Sequence, residues 1–170
     1  MAQLVETMDS AIKAITIKTG KYLTFILEQE EYGIGILKVK EIIGMMPITT
    51  IPRTPEFVKG VINLRGKVIP VMDLRLKFSM EAIPYSERTC IIVVEIDSDA
   101  ATVLIGIVVD AVSEVLNIKE SEIEETPQFG TSLNTDYILG MAKMEGSVKI
   151  LLDIDKVLSQ QEVTQLENVS

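Results

Sequence analysis

The chain repeats itself, and a repeated unit must fold the same way twice. Gly33-Ile34-Gly35-Ile36 through Glu41-Ile42-Ile43 lies over Gly106-Ile107-Val108-Val109 through Glu114-Val115-Leu116. Gly33, Ile34, Val39 and Glu41 meet identical residues at Gly106, Ile107, Val112 and Glu114. Thr54-Pro55-Glu56-Phe57 resembles Thr126-Pro127-Gln128-Phe129. Gly60–Leu74 then lies ungapped over Gly140–Ile154, with Gly60, Gly66, Val68 and Asp73 over Gly140, Gly146, Val148 and Asp153. Self-similarity of this kind marks a duplicated structural unit.

Each unit reads as β structure. Tyr22–Glu28 and Cys90–Ile96 are rich in β-branched and aromatic residues, and Glu30–Tyr32 and Asp97–Ala100 read as turns. Helical spacing is confined to Met8–Ile15 and the tail after Asp153. One unit is too small and too rich in strand edges to stand alone, so the two are expected to pack together or exchange strands. Small barrels suit so many short, evenly spaced strands. The expected layout is an N-terminal segment 1–20, a first barrel 21–80, a second barrel 88–153, and a C-terminal helix with a tail over 154–170. Ser79–Arg88 is the candidate connection and Lys119–Glu125 a second loop. Pro70, inside a strand-like run, predicts an edge or a bulge.

Composition removes several functions. The net charge is −9 and the sequence pI about 4.6, so nucleic acid is excluded as an expected partner. The chain has no histidine and one cysteine. Zinc, iron and copper sites and Ser–His or Cys–His nucleophiles therefore cannot be assembled in the usual ways. Cys90, in the run Cys90–Val94, reads as an inert core thiol. Adjacent acids such as Glu124-Glu125 are the only material for acid–base catalysis, and they read as solvated loop charge. The Gly33-x-Gly35 pair lacks the rest of a phosphate loop. No apolar run reaches the roughly 20 residues that span a bilayer. The expectation is a cytoplasmic protein without cofactor or metal, not inserted in a membrane.

Within the first unit, Ile51–Phe78 is punctuated as a hairpin, IPRTPEFVKGVINLRGKVIPVMDLRLKF, with Arg65 at the bend. Pro55–Gly66 followed by Ile69–Arg75 resembles the signature of the CheW family of bacterial chemotaxis coupling proteins. Glu31–Ile34 before Val39–Ile42, and Gly106–Val112, resemble it too. The resemblance spans about Tyr22 to Leu158. It implies an all-β fold of two small five-stranded SH3-like barrels packed together as a tandem duplication, with short terminal helices. It also implies an adapter, recruited to membrane-associated arrays, that joins the regulatory domain of the histidine kinase CheA to the cytoplasmic tips of methyl-accepting chemoreceptors. Other CheW molecules are implied partners in rings.

An arginine at a turn offers a fixed fork of donors. The second unit has Glu145 there and Lys143 in place of Asn63, so the fold itself does not require Asn63 or Arg65. By the resemblance, Arg65 lies near Glu41 at a receptor-facing groove, with Asn63 in the same turn. The matching positions Val39, Val109, Val112 and Val115 line or neighbour that groove; the alternative for each valine is the core. Phe57, Pro127 and Phe129 are the expected kinase- or array-facing residues, Phe57 and Phe129 being alternatively core plugs. Gly60 and Gly66 are expected to serve backbone geometry. A carboxylate-only enzyme, or a coupler for a chemosensory pathway not controlling motility, are the alternative functions.

Overall fold

The computed structural model describes residues 20–97, 101–127, 136–144, 146–158 and 162. The expected helix at Met8–Ile15 lies outside them. The strands are β1 (Lys21–Leu27), β2 (Glu30–Gly35), β3 (Val39–Gly44), β4 (Val58–Leu64) and β5 (Lys67–Asp73), then β6 (Cys90–Asp97), β7 (Thr102–Val109), β8 (Ala111–Asn117), β9 (Ile123–Glu124), β10 (Ile138–Met144) and β11 (Ser147–Leu152). One-turn helices α1 (Leu74–Lys77) and α2 (Ile154–Val157) follow β5 and β11. Residues Glu30–Tyr32, expected as a turn, begin β2; the turn is earlier, where Glu28 takes φ 58°.

The two units exchange strands. One sheet, here barrel I, runs β8-β1-β2-β11-β10-β9; the other, barrel II, runs β3-β6-β7-β5-β4. Each barrel takes the opening hairpin of one unit and the last strands of the other. The sequential division at 21–80 and 88–153 is therefore corrected. The cause is local: β2 reaches β3 through a single 3₁₀ turn at Ile36–Lys38, and β7 reaches β8 through Asp110 alone. These links turn the chain out of one sheet into the other. The exchange is symmetric. Parallel pairing sets Val71 opposite Gly106 in barrel II and Leu151 opposite Gly33 in barrel I. Bulges recur at Val58/Gly60 and Ile138/Gly140.

Both faces of β6 are buried, which explains its unbroken apolar run. Ile92, Val94 and Ile96 join Leu23, Phe25 and Ile34 in the cluster between the barrels. Ile91 and Val93 face the interior of barrel II with Ile62, Ile69, Val71 and Val108. Barrel I holds a smaller interior cluster of Tyr22, Ile118, Ala142 and Leu151.

Charge fastens each crossover. Arg75 donates from Nε and Nη2 to Asp110 at 2.7 Å each, and Asp110 Oδ2 also accepts the Glu28 N–H at 2.8 Å. At the other crossover Lys38 lies 2.7 Å from Asp155 and 3.2 Å from Asp97.

Pro70 does not sit on an edge strand. Its partner across the ladder is Val61, whose N–H and C=O both bond to Thr49 at 2.9 Å. Val61–Pro70 is thus a pair without ladder bonds between β4 and β5. The missing N–H would face β7, whose pairing starts only at Val71.

Candidate docking site

The β4–β5 hairpin pairs Leu64 with Lys67, which leaves Arg65-Gly66 as a two-residue turn. Both have positive φ, 52° and 85°, the signature of a type I′ turn that suits strand twist. Asn63 Oδ1 accepts the Gly66 N–H at 2.8 Å and closes the bend. The turn carries Arg65 to Glu41 on β3, the opposite edge of the same sheet. Nη1 and Nη2 donate to Oε1 and Oε2 at 2.9 and 2.5 Å, a bidentate pair. It stays accessible: the Arg65 side chain is 70% exposed and that of Glu41 33%. The guanidinium holds the Glu41 carboxyl below the usual carboxylate range, and Glu41 raises the pKa of Arg65 in return.

The pair rims a cleft of about 650 Å³. Leu64, Ile69, Val93 and Leu104 supply its apolar surface, and Lys40, Lys67, Glu95 and Thr102 its polar surface. Lys40 and Glu95 form a second rim pair at 2.5 Å. An apolar surface bordered by both signs of charge fits a segment with an apolar stripe and polar flanks. Sequence reasoning misses the apolar part of this cleft, although the alternation Ile62, Leu64 and Ile69, Val71 places these residues on one face.

The seven expected receptor-facing residues do not form one surface. Glu41, Asn63 and Arg65 come together at the hairpin. Val39 and Val112 are half-buried and pack on the cluster between the barrels. Val109 is corrected to the core, 1% exposed, because β7 is covered on both faces. Val115 is 53% exposed but lies on β8 of barrel I. Glu114 is exposed, and its backbone N–H and C=O bond Thr24 Oγ1 at 3.2 and 2.9 Å.

Phe57 is half-buried against the central cluster, with Lys77 Nζ 4.7 Å from its ring centroid. Its carbonyl accepts the Asp73 N–H at 2.7 Å, as the Tyr137 carbonyl accepts that of Asp153. The structural counterpart of Phe57 is thus Tyr137, which corrects its pairing with Phe129. Pro127 is exposed, whereas Phe129 lies outside the described residues. Gly60 has φ 142°, and a Cβ there would meet Thr49 O at 2.0 Å; Gly66 borders open space. Cys90 is half-buried, its Sγ donating to the Arg88 carbonyl at 3.3 Å.

The family model for the CheW-like domain matches residues 21–162. The chain belongs to the CheW family. It is 43% identical to the chemotaxis protein CheW of Klebsiella aerogenes over 150 residues, 88% of each chain. Against CheW of Bacillus subtilis the identity is 33% over 147 residues, 85% of this chain and 91% of the relative. The structure of the scaffolding protein TtCheW from Thermoanaerobacter tengcongensis superposes with a TM-score of 0.73 at 38% identity, covering 85% of this chain and 97% of that one. The two-barrel all-β fold is shared with this CheW structure, and the family's chemotaxis and scaffolding proteins are not enzymes. Among the described residues no helix is long and apolar enough to cross a membrane, and no group of His, Cys, Asp and Glu is placed to hold a metal ion.

Proposed function

We propose that this CheW-family chain is an adapter that links the cytoplasmic tips of methyl-accepting chemoreceptors to the regulatory domain of a CheA-type kinase. Membership of the family supports the class. The observation that carries the assignment of a surface is the exposed bidentate Arg65–Glu41 pair at the rim of an apolar cleft. A surface pair contributes little to stability, so its bidentate geometry supports a role in presenting an oriented guanidinium–carboxylate face to a partner. The same reading assigns Val39 and Val112 to receptor contact, and Phe57, Pro127 and Phe129 to kinase or array contact. Further copies of the chain in rings, and recruitment from the cytoplasm to receptor arrays, belong to the same reading.

The test mixes this protein with a receptor cytoplasmic fragment and a CheA-type kinase, then measures co-sedimentation and kinase autophosphorylation. Both are expected to depend on the adapter. Arg65→Glu places two carboxylates face to face and is expected to cut receptor binding about tenfold or more, with an unchanged circular dichroism spectrum. Kinase activity and co-sedimentation that ignore the adapter would overturn the function. Undiminished receptor affinity in a folded Arg65→Glu variant would overturn the surface.

A further inference from the structure

The cleft beside the Arg65–Glu41 pair carries an unbalanced charge. Among the described residues its lining holds three cations, Lys40, Arg65 and Lys67, and two carboxylates, Glu41 and Glu95. Arg65 is paired with Glu41 and Lys40 with Glu95. The Thr102 hydroxyl is engaged too, donating to Asp97 at 3.2 Å. Of the charged groups in the lining, only Lys67 makes no ion pair or hydrogen bond within the described residues.

The pleat of β5 sets the direction of this lysine. Lys67 alternates with Ile69 and Val71, which are buried and face the interior of barrel II. It lies opposite Leu64, as Ile69 lies opposite Ile62. Side chains two apart on a strand share a face, so exposed Lys67 continues the interior row to the mouth of the barrel, where the cleft opens. The fold does not ask for a lysine there. The ungapped match of Gly60–Leu74 with Gly140–Ile154 makes Ser147 its counterpart, which donates to the Met144 carbonyl within its own hairpin at 3.1 Å. A chain of net charge −9 repels acidic segments as a whole. One open cation beside apolar surface therefore gives such a segment a single favoured register.

We infer that Lys67 is a specificity-determining residue of this cleft, selecting an amphipathic segment that carries a carboxylate on the flank facing Lys67. The apolar stripe of that segment lies over Leu64 and Leu104, the half-buried apolar residues of the lining. The Arg65–Glu41 and Lys40–Glu95 pairs each present both signs of charge and do not choose between an acidic and a basic flank. Lys67 does choose, because its charge is not answered from within the molecule. It thereby adds the charge of the docked segment to the reading of this cleft as the receptor-docking surface, on which its role rests.

The test titrates the full chain and its variants with a receptor cytoplasmic fragment by calorimetry. Lys67→Ser, which installs the residue of the second unit, is expected to weaken binding about threefold and Lys67→Glu about tenfold. Both variants are expected to keep the wild-type melting temperature, since the side chain makes no contact that folding needs. The loss in Lys67→Glu should shrink as salt is raised. Carboxylates of the fragment are then replaced one at a time by lysine. One such swap is expected to weaken binding to the wild type and to restore binding to Lys67→Glu, the coupling that marks a direct pair. Arg65→Glu, run in parallel, separates the two ways of failing. If Arg65→Glu loses affinity and a folded Lys67→Glu does not, the role of Lys67 is overturned and the docking surface stands. If neither loses affinity, the docking surface falls and the role of Lys67 with it. A loss in Lys67→Glu that no swap recovers overturns the carboxylate contact.

Discussion

Arg65 holds a left-handed backbone at φ 52°, a conformation that costs most side chains about 1–2 kcal/mol and that asparagine and glycine enter readily. The turn would therefore fold at least as well with asparagine in place of the arginine. That separates structure from display. Arg65→Asn is expected to leave the melting temperature unchanged or higher while weakening the proposed receptor binding, measured by calorimetry and co-sedimentation. The same variant tests the electrostatics. Glu41 titrates low because Arg65 hydrogen-bonds its carboxylate. A depressed folded-state pKa contributes stability that is present above the unfolded pKa and lost as pH falls through the folded one. The Glu41 carboxyl carbon, followed by NMR, should titrate below the ordinary carboxylate range in the wild type and return upward in Arg65→Asn. An identical midpoint in both would show that the guanidinium does not bind it in solution. These roles were partly legible in the sequence, because the second unit places Glu145 where the first has Arg65. That Val109 is core was not legible: a valine beside a groove and a valine beneath it are the same letter, and only the number of covered faces distinguishes them.

The β4–β5 hairpin and its β10–β11 counterpart show which glycines serve the element. Gly60 sits at a bulge with φ 142°, where an added Cβ would meet the Thr49 carbonyl oxygen at 2.0 Å and its carbon at 2.7 Å. That carbonyl accepts the Val61 N–H, so it cannot move away without breaking the bridge. Gly66 has φ 85° and no atom within 4 Å of its would-be Cβ. Equal letters thus carry unequal constraints. Gly60→Ala should cost about 3 kcal/mol or more, combining clash and strain, and Gly66→Ala about 1–2 kcal/mol from backbone conformation alone. Urea denaturation checks both, and equal losses would refute the distinction. The strands themselves were readable from β-branched runs, but the pairing of Phe57 with Phe129 was not sound. The Thr-Pro similarity draws the eye to one offset, whereas the ungapped match of Gly60 with Gly140, continued backward, sets Phe57 over Tyr137. The Phe57 and Tyr137 carbonyls accept the N–H groups of Asp73 and Asp153, the N-cap residues of α1 and α2, and these matching bonds decide for the second.

At the scale of the molecule, the repeat was legible, and strand exchange stood as one of two expected arrangements between which the sequence did not choose. An unexchanged barrel would pair Gly33 with Val71; the exchanged one pairs Gly33 with Leu151 and Gly106 with Val71. Because Val71 and Leu151 are equivalent aliphatic residues opposite equivalent glycines, both arrangements satisfy the same pattern. The short links Ile36–Lys38 and Asp110 decide between them, and the Arg75–Asp110 and Lys38–Asp155 contacts fasten the outcome. Neither half of the chain then contains a complete barrel. Residues 1–83 hold β1–β5 and residues 84–170 hold β6–β11, with the junction in the exposed segment 81–88. Separately, each half leaves the faces and edges of its opening hairpin without their partners, and an isolated hairpin is marginal in water. Mixed, the halves can regain all the pairings, since the cut breaks no strand. Their reunion gives up only the effective concentration supplied by the covalent link. Fragments 1–83 and 84–170 should therefore show no cooperative thermal transition alone and should combine on mixing into a 1:1 complex with the wild-type circular dichroism spectrum. Cooperative folding of either fragment as a monomer, seen by sedimentation and calorimetry, would mean that the unexchanged barrel is accessible and that the short links do not dictate the topology.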